Sequence, residues 1–267
     1  MGNHLKHASL YLVLTHGWDY PIILLVGVVA GMVNSVAGGG TLLTFPTLVW
    51  LGRDPILANA SNTLALWPGS VAGMLGFRGH LGGTRKWLLL LSGPSVVGGL
   101  IGAILLLKTP TQTFSHLVPY LILAATLLLA VQEPLQRFLL ANRSYHDSGW
   151  WWAGAAFFQF AVAVYGGYFG AGIGILMLAV LGLLHLTDIY KMNGLKNFFA
   201  FCINGVAAVY FVAAGSVSWT DSAVMAVGAI TGGYGGATLA QKLGRKAVRG
   251  IAVAVGLAMT VSLLLRD

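Results

Sequence analysis

Charge is scarce in this chain. Only 8% of its 267 residues are Asp, Glu, Lys or Arg, and seven of them are acidic. A soluble domain needs far more polar surface than that, and a disordered chain needs more still. Cysteine is scarcer: Cys202 is the only one, which excludes an intrachain disulfide framework and a thiol pair for metal or redox work. His80, His116, His146 and His185 fall in or beside loops, without metal-ligand spacing. No intramembrane His/Glu set or Ser/His pair offers a catalytic constellation, so neither metal, cofactor nor catalytic residue is expected.

What the chain has is apolar residues, 57% of the total, with mean hydropathy +0.81. Apolar runs recur from end to end and are too long for the alternating strands of a membrane barrel. The fold class is therefore an all-α integral membrane protein, with the lipid bilayer as its first partner. Fifteen Lys and Arg against seven acids give a net charge of +8. In a soluble protein that surplus would suggest nucleic acid; here the basic residues lie between apolar runs, where they set topology.

Interruptions by charge, Gly/Pro and polar residues divide the chain into segments near 20–37, 42–51, 56–77, 87–107, 117–133, 150–168, 170–186, 196–214, 222–241 and 248–265. The first two are too cramped to be full spans and read as a hairpin of short helices, re-entrant or half-spanning. Residues 1–19 carry Lys6 and three histidines without a small-residue cleavage site, and read as an interfacial lead-in rather than a signal peptide.

Shifted by 134 residues, the chain matches itself. Ala37, Gly38, Gly40 and Leu42 align with Ala171, Gly172, Gly174 and Leu176, and Asp54, Asn59 and Lys108 align with Asp188, Asn193 and Lys242. Two repeats follow, residues 20–133 and 149–267, joined by a linker at 134–148. Each holds a glycine-broken hairpin and three further crossings, an odd net number, so the second repeat enters from the opposite face and the topology is inverted. The charges agree with this. With the N-terminus on one side, that side receives Lys6, Arg53, Lys108 and Arg266, and the other receives the remaining basic residues. The positive-inside rule makes the linker cytoplasmic and both termini extracytoplasmic, in a multi-pass protein of the cell membrane.

Inverted repeats with broken helices are a transporter design, since unwound backbone survives in a bilayer only where protein or a water-filled cavity satisfies it. At Gly38, Gly39 and Gly40, and again at Gly172, a turn would aim the N–H groups of the helix starting near Thr41 or Ile175 into a cavity, an environment suited to an anion. Close helix packing is the other use of such glycines, and Gly98/Gly102 and Gly232/Gly236 fit it better. Polar side chains gather at matching places: Asn34, Asn59, Ser61 and Asn62 in the first repeat, Tyr168, Asn193, Lys196 and Asn197 in the second. Lys196 among neutral donors would make a cage for an oxyanion. Its alternative is a side chain reaching to the membrane interface beside Lys191 and Asp188. Asp54 and Asp188 read as helix N-caps.

The stretches "GVVAGMVNSVAGGGTLLTFPTL", "LANASNTLALWPGSVAGMLGF", "GGYFGAGIGILM" and "MNGLKNF" resemble the TauE/SafE sulfite exporter family over nearly the whole chain. The resemblance implies a permease for sulfite or another small sulfur-containing anion. Onto this sequence it carries Asn34, Gly38, Gly39, Gly40, Asn59, Asn62, Lys196 and Asn197 as residues around the anion. The second copy of the motif departs from the first: Tyr168 stands in Asn34's place and Ile173 replaces the middle glycine, so the first repeat is expected to contribute more. A homo-oligomer is compatible with all of this. The rival reading is an intramembrane enzyme or assembly factor whose polar clusters only join helices; a permease for cations would need acidic residues in the cavity.

Overall fold

The computed structural model describes residues 18–36, 39–76, 79, 81–134, 149–184, 186, 188–243 and 245–265. Gly38 and, from residue 135 on, the expected linker lie outside them, as does the lead-in up to residue 17. Helices dominate the described residues: α1 (Asp19–Val36), α2 (Thr41–Trp50), α3 (Pro55–Gly76), α4 (Arg85–Lys108), α5 (Thr111–Ala130), α6 (Gly149–Tyr168), α7 (Ile173–Leu183), α8 (Ile189–Ala213), α9 (Trp219–Leu243) and α10 (Arg245–Leu264). Each expected segment is one of these helices. Three of them, Arg85–Lys108, Thr111–Ala130 and Tyr190–Ala213, are long and apolar enough to cross a membrane.

Two segments begin earlier than their apolar runs suggested. Helix α8 starts at Ile189 instead of 196, and α5 at Thr111 instead of 117. Polar first turns conceal both starts from a hydropathy reading. At α8 the signal was local: Asp188 Oδ1 accepts from the N–H groups of Tyr190 and Lys191, at 2.9 and 3.3 Å. Asp54 does the same at α3 for Ile56 and Leu57, at 2.9 and 3.0 Å, with Pro55 at the first helical position, where its missing N–H is no loss. Both aspartates are N-caps, as expected.

Three element starts keep the 134-residue spacing of the self-match. Starts at Pro55, Arg85 and Thr111 recur 134 residues on at Ile189, Trp219 and Arg245. Packing is reciprocal as well. Helix α1 lies along α9, and α6, which occupies α1's place in the second half, lies along α4, which occupies α9's place in the first. Both contacts depend on glycine. A Cβ on Gly27 would stand 2.8 Å from the Met225 carbonyl oxygen, and one on Gly98 would stand 2.7 Å from that of Phe160. Backbones meet directly there, the small-residue mode of helix association in lipid. Near the middle, Trp67 of α3 stacks on Phe201 of α8 at 5.8 Å and 15°, and its Nε1 donates to the Phe201 carbonyl at 3.2 Å. These two residues are 134 apart, each the other's counterpart.

Candidate functional site

The chain turns back twice, between α1 and α2, where Gly39 and Gly40 precede Thr41, and between α6 and α7 at 169–172. Gly39 has φ +113° at the first turn, and Gly170 and Gly172 have φ +80° and +77° at the second. Left-handed backbone of this kind strains any residue with a Cβ, which is why glycine breaks the apolar run at these points.

The first turn is closed by its own side chains. Asn34 Oδ1 accepts from the N–H groups of both Gly39 and Gly40, each at 3.1 Å. Thr44 Oγ1 lies 3.1 Å from the Gly40 carbonyl and donates as well to Asn62 Oδ1. Gly40 has no room for a side chain, since a Cβ would meet the Ala30 carbonyl oxygen at 2.8 Å. This corrects one expectation: at the start of α2 the N–H groups of Gly39 and Gly40 are already engaged by an amide five and six residues earlier. Thr41, the first residue of α2, is half-buried.

The second turn is built differently. Tyr168 takes the place of Asn34, and a phenol cannot reach back as a carboxamide does. Its hydroxyl lies 3.4 Å from Thr109 Oγ1 instead. Tyr165 holds the turn by donating its O–H to the Ala171 carbonyl at 2.8 Å. Among the described residues no side-chain acceptor is found on the N–H groups of Gly172 or Gly174. What lies there is a cation. The methylenes of Lys196 run beside Gly174, so close that a Cβ at 174 would be 3.3 Å from Lys196 Cδ, and Nζ donates to Asn193 Oδ1 at 3.1 Å. Lys196 sits two turns inside α8, directed at the start of α7 rather than back past the helix end.

Asn59 joins the second turn from the other repeat: its Nδ2 donates to the Tyr168 carbonyl at 2.9 Å. The residue is 1% exposed, and its Oδ1 has no partner among the described residues. The two turns also approach each other. Phe45 of α2 meets Phe169 edge-on at 5.2 Å. Gly39 faces Leu129 and Gly172 faces Ala125, positions one turn apart on the same side of α5. The structure thus gathers Asn34, Gly39, Gly40 and Asn62 at one turn and Asn59, Tyr168, Gly172, Asn193 and Lys196 at the other. Asn197, half-buried, shares the α8 face of Asn193.

Ser61 goes elsewhere. Its Oγ accepts from the Ser218 N–H at 2.8 Å and its carbonyl from Ser222 Oγ at 3.1 Å, so it serves the α3–α9 contact. Two positions away from Asn59 on a helix is nearly the opposite face, a signal the sequence contained. Thr44 was overlooked, although it stands one turn beyond Gly40 on the same face of α2.

Beyond the far end of α2, Arg53 bridges three elements. Its Nη1 pairs with Asp19 at 2.9 Å and its Nε with Asp221 at 3.0 Å, both carboxylates in first turns of helices. The hydrogen bond to Asp221, with the carboxylate's charge, raises the guanidinium pKa further. No spacing in the sequence announces this trio.

Compared with known proteins, residues 23–263 match a protein-family model described as Sulfite exporter TauE/SafE. The chain is similar to the probable membrane transporter protein YfcA of Escherichia coli strain K12, 27% identical over 252 residues, covering 91% of this chain and 88% of that one. A probable membrane transporter protein of Haemophilus influenzae is also 27% identical, covering 91% and 93%. The probable membrane transporter protein ORF9 of a Sinorhizobium species is 25% identical over 238 residues, covering 88% of each chain. No solved structure matches.

Proposed function

From the premise that this chain belongs to the TauE/SafE sulfite exporter family, we propose that it is a multi-pass permease of the cell membrane that exports sulfite or a related small sulfur-containing anion by alternating access. It is a membrane transporter and not an enzyme. The observation that carries the anion reading is the second turn: α7 begins without a side-chain cap, and Lys196 lies across that beginning. A helix start and an ammonium group together favour an oxyanion over a cation. The domains of the proposal are repeats at 20–133 and 149–267 around a linker at 134–148. Their inversion is in keeping with the reciprocal pairing of α1 with α9 and α6 with α4, and the extracytoplasmic placement of both termini rests on the distribution of basic residues alone. The driving force is the membrane potential or an ion gradient; an inside-negative potential alone favours anion exit by roughly 2.3 kcal/mol per charge per 100 mV.

In this proposal Lys196, Asn193, Asn197, Gly172 and Tyr168 form the more important half of the site, with Asn59 reaching in from the first repeat. Asn34, Thr41, Asn62 and Gly38 to Gly40 form the other wall. The reading of polar residues as helix glue fits Ser61 but not Lys196.

The test is flux of radiolabelled sulfite in proteoliposomes held at a set potential, with sulfate, thiosulfate and sulfoacetate as competitors. Protein-dependent sulfite flux is expected. Lys196→Ala should weaken apparent affinity by about tenfold or more, the value of one hydrogen bond to a charged group. Absence of protein-dependent flux for every sulfur anion overturns the proposal.

A further inference from the structure

The second turn is rich in donors, yet Asn59 points the other way chemically. Its amide orientation is set by the group it meets: the Tyr168 carbonyl oxygen can only accept, so the nitrogen must face it. That leaves Oδ1, an acceptor, buried and unpartnered beside the same turn that Lys196 covers. A buried acceptor without a donor is costly and rare in a folded protein. A fully deprotonated oxyanion offers it nothing, because such an ion also only accepts. A metal cation would need a shell of about six oxygens; Asn59 supplies one, while the neighbouring Tyr168 carbonyl and Asn62 Oδ1 already accept from Asn59 Nδ2 and Thr44.

One unsatisfied acceptor among many donors matches an oxyanion bearing a single O–H. Resting on the anion reading above, we infer that this site takes its ligand in the hydrogen-bearing monoanionic form, hydrogensulfite in the case of sulfite, with the ligand hydroxyl donating to Asn59 Oδ1 while Lys196 and the start of α7 face the charged oxygens. A proton then travels with the anion as part of it, and no protein carboxylate is required as carrier.

The sulfite dianion gains its first proton, becoming hydrogensulfite, near neutral pH, so the titrating group is the ligand. Among the described side chains, the ionisable groups on α3 and the elements packed against it are Asp54 at α3's own N-cap, Tyr190, Lys191, Lys196, Cys202 and Tyr210 of α8, Asp221 of α9 paired with Arg53, Tyr165 and Tyr168 beside the turn, and His116 and Tyr120 of α5. Binding of radiolabelled sulfite to the purified full chain is measured by scintillation proximity at about pH 6 and about pH 8, in sodium and in choline buffers. The apparent Kd for total sulfite should rise roughly tenfold between the two pH values, following the falling share of hydrogensulfite, and should be the same in both buffers. His116→Gln should keep that ratio. Asn59→Ala should bind about tenfold more weakly at the lower pH, with the ratio collapsing toward one. Wild-type binding that is tight at both pH values, that needs sodium, or a ratio that survives in Asn59→Ala overturns this inference and leaves the anion reading standing. Absence of sulfite binding at any pH overturns both. The wild-type profile decides the matter even if the variant does not fold.

Discussion

Two glycines five residues apart on α4 should answer the same substitution with opposite signs. Gly98 faces α6, and an alanine Cβ there would lie 2.7 Å from both the Phe160 carbonyl oxygen and Ala163 Cβ. Carbon atoms pack at about 3.5–4.0 Å, so the helices must separate by roughly 1 Å. The neighbours are backbone or a short side chain and have no rotamer to escape through. Overpacking of this kind costs about 1–3 kcal/mol, against a gain of about 0.5–1 kcal/mol for replacing a helical glycine. Gly98→Ala should therefore be destabilising. Gly93 has open space where its Cβ would go, so Gly93→Ala keeps only the gain. The difference between the variants is about 1–3 kcal/mol. Gly27→Ala, in the reciprocal contact with α9, should behave like Gly98→Ala. The measurement is apparent melting of the three variants in one detergent at one scan rate, read by size-exclusion recovery, because unfolding of such a protein is expected to be irreversible. If Gly98→Ala melts at or above wild type, or Gly93→Ala melts below Gly98→Ala, the close-contact argument fails.

Asp221→Asn removes the carboxylate that engages Arg53 through two nitrogens; between the exposed and fully buried limits for such pairs, the loss is about 1–3 kcal/mol, seen as a lower melting temperature. An unchanged temperature would mean the trio holds nothing together. Gly172→Ala should cost about 1–2 kcal/mol from its positive φ alone, since the nearest atoms of Ala125 leave ordinary contact distance, and Gly172→Asn should cost less because asparagine tolerates this backbone. Equal melting of these two variants would place the cost in packing instead.

Hydropathy and one self-alignment made most of the architecture legible, because an apolar run and a repeated residue are both written along the chain. The caps Asp54 and Asp188 were legible for the same reason: they act on residues two and three positions away. Contacts between distant positions were not. Arg53 finds Asp19 and Asp221 across separations of 34 and 168 residues, and nothing in a charge count links them. Asn34 was read as a ligand-facing donor, yet its oxygen seals the turn that the sequence suggested was open. The motif located the right residue but not which end of its amide would be occupied. That difference is why the proposed site leans on the second turn, where α7 starts without a side-chain cap, and less on the first, where the motif is complete.

The Trp67–Phe201 pair has a bearing on motion. In the alternating-access cycle proposed above, in which the two repeats trade conformations, every contact between residues i and j would pass to the counterparts of i and j. Trp67 and Phe201 are each other's counterparts, so the trade returns the same pair: their stacking is indifferent to which face of the membrane is open. Asn59 with Tyr168 has no such immunity, because its image is a different pair, the Asn193 amide with the Asn34 main-chain carbonyl. On that proposal the first pair is a fixed pivot and the second a latch that one state owns, so a cross-link between 67 and 201 should leave the transport cycle free while one between 59 and 168 arrests it.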